Sequence, residues 1–255
     1  MPHALLAGSP EARVAAMAAM VRAPTAPTAA ELDALRACLG DDRKLVQRRA
    51  AEAFAALSER GVRVGGPLKA ALDDPDVRLR WGAAYALSLV GPVPLTALPT
   101  LLEVMGLDDG DLRWAAADLL KQLANRERAP VVARVLAAAA AAGPTRKMAL
   151  YCLRDLAVPE GFDAALAGLA DEHIETRLAA LAVIAVVHRD AADAARRIAA
   201  LIDDADPRMQ RAAAGTLGGL GQRCPEVMDA LRRAAHGADP SLRRAAERSL
   251  RLLEP

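Results

Sequence analysis

Apolar residues recur at helical spacing in 13-residue segments that begin at Ala12, Val46, Leu79, Leu112, Thr145, Thr176, Met209 and Leu242, separated by 31 to 34 residues. Counting the first residue as position 0, position 4 is Ala in every copy: Ala16, Ala50, Ala83, Ala116, Ala149, Ala180, Ala213 and Ala246. Position 8 is always large and apolar: Met20, Phe54, Leu87, Leu120, Leu153, Ile184, Leu217 and Leu250. At about 100° per residue, positions 0, 4, 8 and 11 fall on one stripe of a helix, so each copy predicts an amphipathic helix. No stretch alternates apolar with polar residues long enough to predict a strand.

A second apolar segment precedes most copies, as in "TAAELDALRACLG", "PLTALPTLLEVMG" and "PEVMDALRRAA". The turn between the two is rich in Asp, for example "DDPD", "DDGD" and "DDADP". Asp there can accept the unsatisfied amide hydrogens of the next helix, and Pro75, Pro207 and Pro240 suit a helix entrance because no amide hydrogen is lost. The predicted unit is a helical hairpin. A lone hairpin cannot bury its apolar face, so neighbours must stack.

The turn-plus-helix stretches "DDADPRMQRAAAGTLGGLG" and "GADPSLRRAAERSLRLLE" resemble HEAT repeats of the short bacterial type related to phycobilisome lyases. The resemblance covers residues 10 to 255. It implies an all-α, right-handed α-solenoid of about seven hairpins plus a terminal helix, forming a single domain over residues 1–255. It also implies that the second helix of each hairpin lines the concave side.

Position 1 is Arg in most copies (Arg13, Arg80, Arg113, Arg146, Arg177 and Arg243), with Gln47 and Gln210 as exceptions. These side chains are expected to reach the Asp-rich turns and tie repeats together. The segment "AAAAAAGPTRK" has no Asp, which makes residues 140 to 176 the expected site of an altered repeat. Position 5 is apolar until the last copy, where Glu247 marks a terminal cap. At the other end the first copy has no full partner segment, so its cap is expected to be abbreviated or drawn from residues 1 to 9.

Aromatic residues make up only 2% of the chain, and the net charge is +1. A core of Ala, Leu and Val suits close helix packing, and the charge gives no global argument for nucleic acid or membrane. Cys38, Cys152 and Cys224 are far apart and read as small buried hydrophobes. His3, His173, His188 and His236 form no metal-binding spacing and read as surface or helix-end residues. "LGGLGQ" at 217–222 reads as a helix stop. No secretory signal or membrane span is expected, and a cytoplasmic monomer without a cofactor follows as the expectation.

Positions 2, 6 and 9 lie opposite the apolar stripe, where the core does not dictate the residue. Both tryptophans and both tyrosines fall there: Trp81, Tyr85, Trp114 and Tyr151. Basic residues dominate the same positions, with Arg48, Lys121, Lys147, Arg154, Arg211, Arg244, Arg248 and Arg251 against Glu52 and Asp118. Trp, Tyr and Arg are the side chains that most often anchor interfaces. The expected partner-binding residues are therefore Trp81, Tyr85, Trp114, Asp118, Lys121, Lys147, Tyr151 and Arg154. They fit a non-catalytic scaffold that binds an acidic or amphipathic protein segment, with the aromatics alternatively packing across adjacent helices. Nucleic acid is the less favoured partner. Two further readings rest on resemblance: Trp114 and Asp118 are similar to the groove of DNA glycosylases built from HEAT-like repeats, and the lyase likeness implies a bilin. A simple ion pair of Asp118 with Lys121 or Lys147 is the plainer expectation.

Overall fold

A computed structural model of the chain describes residues 2–187 and 191–254. His188 lies outside the described residues. Among them there are sixteen α-helices and no strand. They fall into two compact units that divide between Val131 and Val132.

The first unit contains α1 (Pro2–Ala7), α2 (Pro10–Arg22), α3 (Ala29–Ala37), α4 (Lys44–Glu59), α5 (Gly65–Ala70), α6 (Val77–Val90), α7 (Leu98–Val104) and α8 (Gly110–Ala124). Helix α9 (Arg128–Ala140) spans the division. The second unit continues with α10 (Arg146–Asp155), α11 (Gly161–Gly168), α12 (Ile174–Val187), α13 (Ala191–Ala200), α14 (Pro207–Leu220), α15 (Pro225–Ala235) and α16 (Pro240–Leu253). The even-numbered helices are the repeated 13-residue segments. Residues 2 to 7 form a short first helix that packs on α2 and α3, so the first repeated segment is paired.

Within each unit the even-numbered helices pack side by side, α2 on α4 and α4 on α6, then α10 on α12, α12 on α14 and α14 on α16. Alanine at position 4 is buried in every copy, which lets the backbones come close. The side chains of position 8 fill the space behind it, with Phe54 fully enclosed. Position 5 is buried from Met17 to Ala214, whereas Glu247 on α16 is exposed. Two glycines permit the tightest approaches. A Cβ on Gly82 would lie 2.7 Å from the Cβ of Leu39, and one on Gly218 would lie 2.8 Å from that of Ser249. Ser249 also donates its hydroxyl to the Ala214 carbonyl at 2.7 Å, which satisfies a buried polar group at the α14/α16 crossing.

The Asp-rich turns behave as capping devices. Asp76, Asp109, Asp206 and Asp239 accept from the first amides of α6, α8, α14 and α16. Three of the position-1 arginines pair with the turn of the following repeat. Arg13 pairs with Asp41 and Arg177 with Asp204, while Arg146 reaches Asp171 at 2.8 Å. Arg80 and Arg243 instead donate to the carbonyls of their own turns, and Arg80 also pairs with Glu103. Gln47 and Gln210 preserve the carbonyl contact without the charge, donating to Leu39 and Asp204. The turn before α10 lacks a capping carboxylate: Thr145 makes no side-chain cap, Gly143 adopts φ 137°, and α10 has only ten residues. Gly221, at φ 68°, ends α14 in the left-handed conformation that glycine accepts without strain, so "LGGLGQ" is a helix stop.

Gly82→Ala and Gly218→Ala are each expected to lower unfolding free energy by about 1–3 kcal/mol, because the neighbour is a packed residue that must shift. Gly219→Ala, whose Cβ meets nothing within 4 Å, is expected to raise it by about 0.5–1 kcal/mol through helix propensity. Urea midpoints of the three variants give the comparison.

Several turn carboxyls are held below the usual range. A hydrogen bond from the Lys44 ammonium lowers Asp109, one from the Arg208 side chain lowers Asp206, and the Ser241 amide lowers Asp239. For Asp171, burial pushes the carboxyl up, but hydrogen bonds from His173 and Arg146 outweigh it. A depressed folded-state pKa stabilises the fold above the unfolded value near 3.9, and this contribution is lost as pH falls through the folded value. Melting temperature is therefore expected to hold between about pH 7 and 5 and to fall below about pH 4.

Candidate functional site

The outward positions of α6 and α8 do not hold their two tryptophans alike. Trp114 is 47% exposed, whereas Trp81, at the same point of the repeat, is only 4% exposed. The expectation that both rings lie open on one surface is thus corrected for Trp81. Trp81 lines a space bounded by α4, α6 and α8. Lys44, at the start of α4, reaches Asp109 at 2.9 Å and Asp111 at 3.1 Å, at the start of α8. The gap it bridges contains α6, and Trp81 fills that gap. Among the described residues α6 and α8 do not approach as closely as the other neighbouring even-numbered helices of the unit, which leaves room for a large ring between them.

Tyr85, one turn beyond Trp81, is half-buried and stacks on it, with ring centroids 6.0 Å apart and planes inclined by 24°. The two rings share a groove of about 220 Å³ with Lys44, Gln47, Arg48, Asp111, Leu112 and Ala115. Arg48 stands exposed at its edge. The groove combines an apolar aromatic wall with charges of both signs, a composition suited to an amphipathic segment more than to a uniformly charged one.

On α8, Asp118 pairs with Lys121 at 2.9 Å, and the Asp118 side chain is 63% exposed. The plainer expectation for this carboxylate therefore holds. A carboxylate this open to water and already paired with an ammonium is not a preorganised charge stabiliser for a bound base. The structure brings Trp81 and Tyr85 together, and separately Asp118 and Lys121.

In the second unit, Tyr151 and Arg154 form another local pair, the guanidinium lying 4.9 Å from the ring centroid. Burial pushes the Tyr151 phenol above its usual pKa, so it stays protonated and able to donate at neutral pH. Arg154 also holds Asp155 at 2.6 Å, which places its charge on the helix surface in a fixed direction. Lys147 is half-buried one turn before Tyr151.

Lys44, Asp109 and Asp111 are the residues that sequence reasoning missed. Asp109 and Asp111 are legible only as part of the capping turn "DDGD", and nothing in a 33-residue period signals a contact across two repeats. Cys38 and Cys152 are buried and Cys224 half-buried. Burial pushes the Cys38 thiol up to about 11, which makes it an inert packing residue. His173 and His236 are exposed at helix ends. No group of three or more His, Cys, Asp or Glu is arranged to hold a metal ion among the described residues. None of the described helices is long and apolar enough to cross a membrane.

Residues 162–251 match the family model for HEAT repeats. No curated protein matches the chain by sequence. Among solved structures, a Kap121p variant is similar with a TM-score of 0.63 at 14% identity, covering 99% of this chain and 33% of that one. Importin beta is similar at 0.59 and 13%, covering 100% and 41%. An engineered protein is similar at 0.53 and 18%, covering 100% and 77%. The chain thus spans about a third of Kap121p and two-fifths of importin beta. At such identities the likeness is one of fold, the α-solenoid.

The burial difference predicts a split between the tryptophans. Trp81→Ala is expected to cost about 3–5 kcal/mol of stability, and Trp114→Ala less than about 1 kcal/mol. Equal destabilisation in chemical denaturation would refute the distinction drawn between them.

Proposed function

We propose, from the premise that the chain is a HEAT-repeat protein, that it acts as a non-catalytic scaffold for protein–protein interaction and engages its partner through the outward face of the even-numbered helices. The observation that carries this reading is Trp114, an aromatic side chain nearly half exposed on a helix face that the core leaves unconstrained. A large exposed indole costs hydration free energy unless a ligand covers it, and Trp is the commonest anchor of interfaces. Asp118 and Lys121 supply polar contacts beside it, and Lys147, Tyr151 and Arg154 extend the same helical positions into the second unit. Tyr85 lines the groove directly. Trp81 contributes as the wall beneath it, not as an open anchor.

The chemistry of these positions suits an acidic or amphipathic segment of a protein. Arg48, Lys121 and Lys147 would steer carboxylates, and the rings would cover apolar side chains. The Asp118–Lys121 pair favours this reading over base excision, because it leaves no enclosed carboxylate to stabilise a cationic base.

The test is affinity capture from a lysate with wild type, Trp114→Ala and Lys147→Glu/Arg154→Glu, each with its helicity confirmed by circular dichroism. A protein recovered by wild type and reduced at least tenfold with both variants is the expected result, since an anchoring tryptophan contributes about 2 kcal/mol or more. Equal recovery by all three would remove this face as the interface.

A further inference from the structure

The last helix presents a charge pattern that the fold does not explain. Arg244, Arg248 and Arg251 follow one another at spacings of four and three residues, so they stand in one narrow arc of α16. All three are exposed. Arg248 and Arg251 form no ion pair among the described residues, and Arg244 touches only the Ser241 hydroxyl, at 3.4 Å. Like charges at this spacing repel and destabilise a helix, a cost that Glu247, three residues after Arg244 and four before Arg251, offsets only in part. Glu247 is exposed beside the row and joins no ion pair with it.

Next to α16 lies α14, where the same helical positions hold Arg211, Gly215 and Gly218, and on α12 they hold Leu178, Ala182 and Ala185. They form a trough of about 400 Å³ lined by Leu178, Leu181, Ala182, Ala212, Gly215 and Gly219, with Arg211 at one end. Arg211 is already paired with Asp239, at 3.3 Å. Glycine inside a helix costs roughly 0.5–1 kcal/mol relative to alanine. At Gly218 the cost has a structural return, the close crossing with Ser249. At Gly215 and Gly219 it has none, since a Cβ at either would meet nothing within 4 Å. The trough is therefore wider than internal packing demands, and a row of arginines with an excess of positive charge flanks it.

We propose that this face of α12, α14 and α16 is a second docking surface, for an amphipathic helix whose apolar side lies in the trough and whose acidic flank meets the arginine row. Charge complementarity selects the occupant. A helix resting between α12 and α14 would carry Glu or Asp at spacings of four and three residues opposite Arg244, Arg248 and Arg251, and Gly215 would let its backbone approach closely. Nucleic acid fits less well. The basic residues lie on one flank only, the trough has no aromatic ring on which a base could stack, and the opposite wall, Leu178 and Ala182, is uncharged. The surface lies wholly within the second unit and does not depend on Trp114 or Tyr85.

The test uses the full chain and a fluorescein-labelled synthetic helix of about five turns, with Leu and Ala on one face and Glu in an i, i+4, i+7 row on one flank. The controls are the same peptide with Lys in place of Glu, and a labelled thymidine oligonucleotide. Fluorescence anisotropy should show saturable binding of the Glu peptide at least tenfold tighter than either control. Arg248→Glu/Arg251→Glu should weaken it at least tenfold, as should Gly215→Leu, which fills the trough while its melting temperature stays at or above that of wild type. Trp114→Ala should leave this binding unchanged, which separates the result from the interface proposed above. The inference is overturned by any of three outcomes: no saturable binding of the Glu peptide, equal or tighter binding of a control, or undiminished binding by a folded Gly215→Leu protein.

Discussion

Close approach between successive helices is the constraint from which the rest of the structure follows. With so few aromatic residues, the chain cannot fill wide gaps between helices, so it brings backbones together over alanine. Buried Ala at position 4 of every second helix, and glycine at Gly82 and Gly218 where neighbours press hardest, are two expressions of that requirement. The dispersion and hydrophobic gains come from many small contacts rather than a few large side chains. Such a core is sensitive to single added atoms, since each interface is already at contact distance.

Side-by-side packing alone would leave the turns unsatisfied. The Asp-rich segments resolve this by serving two partners. Asp41, Asp171 and Asp204 accept amide hydrogens of their own turns and also receive the arginine of the preceding repeat. One carboxylate therefore caps locally and links repeats, with its charge matched at short range. Where the arginine is replaced by Gln47 or Gln210, the amide keeps the carbonyl contact, which shows that geometry at this position matters beyond charge. Because these pairs take up the acidic residues in the turns, the exposed helix face keeps an excess of arginine and lysine.

The two tryptophans illustrate how a repeat can place identical residues in different surroundings. Trp81 and Trp114 share a position, a helix face and a sequence context. The first is enclosed where α4, α6 and α8 meet, in a space that Lys44 also lines, while the second stands nearly half in solvent. One ring thus became part of the wall of a groove and the other an open apolar surface.

Much of this protein was legible in its residue pattern. The helical period, the turn carboxylates, the arginines that reach the turns and the glycine stop at Gly221 all follow from local spacing and side-chain chemistry, which act within one repeat or between adjacent ones. The pairing of Asp118 with Lys121 was legible for the same reason, since it spans one helical turn. Tertiary structure alone decided the burial of Trp81, the Lys44 bridge to Asp109 and Asp111, and the empty trough beside Gly215. Each depends on distances between helices that are not adjacent in the chain or on space that no residue occupies. A periodic sequence specifies which atoms face outward, but whether a neighbour covers them depends on how far apart the stacked helices stand.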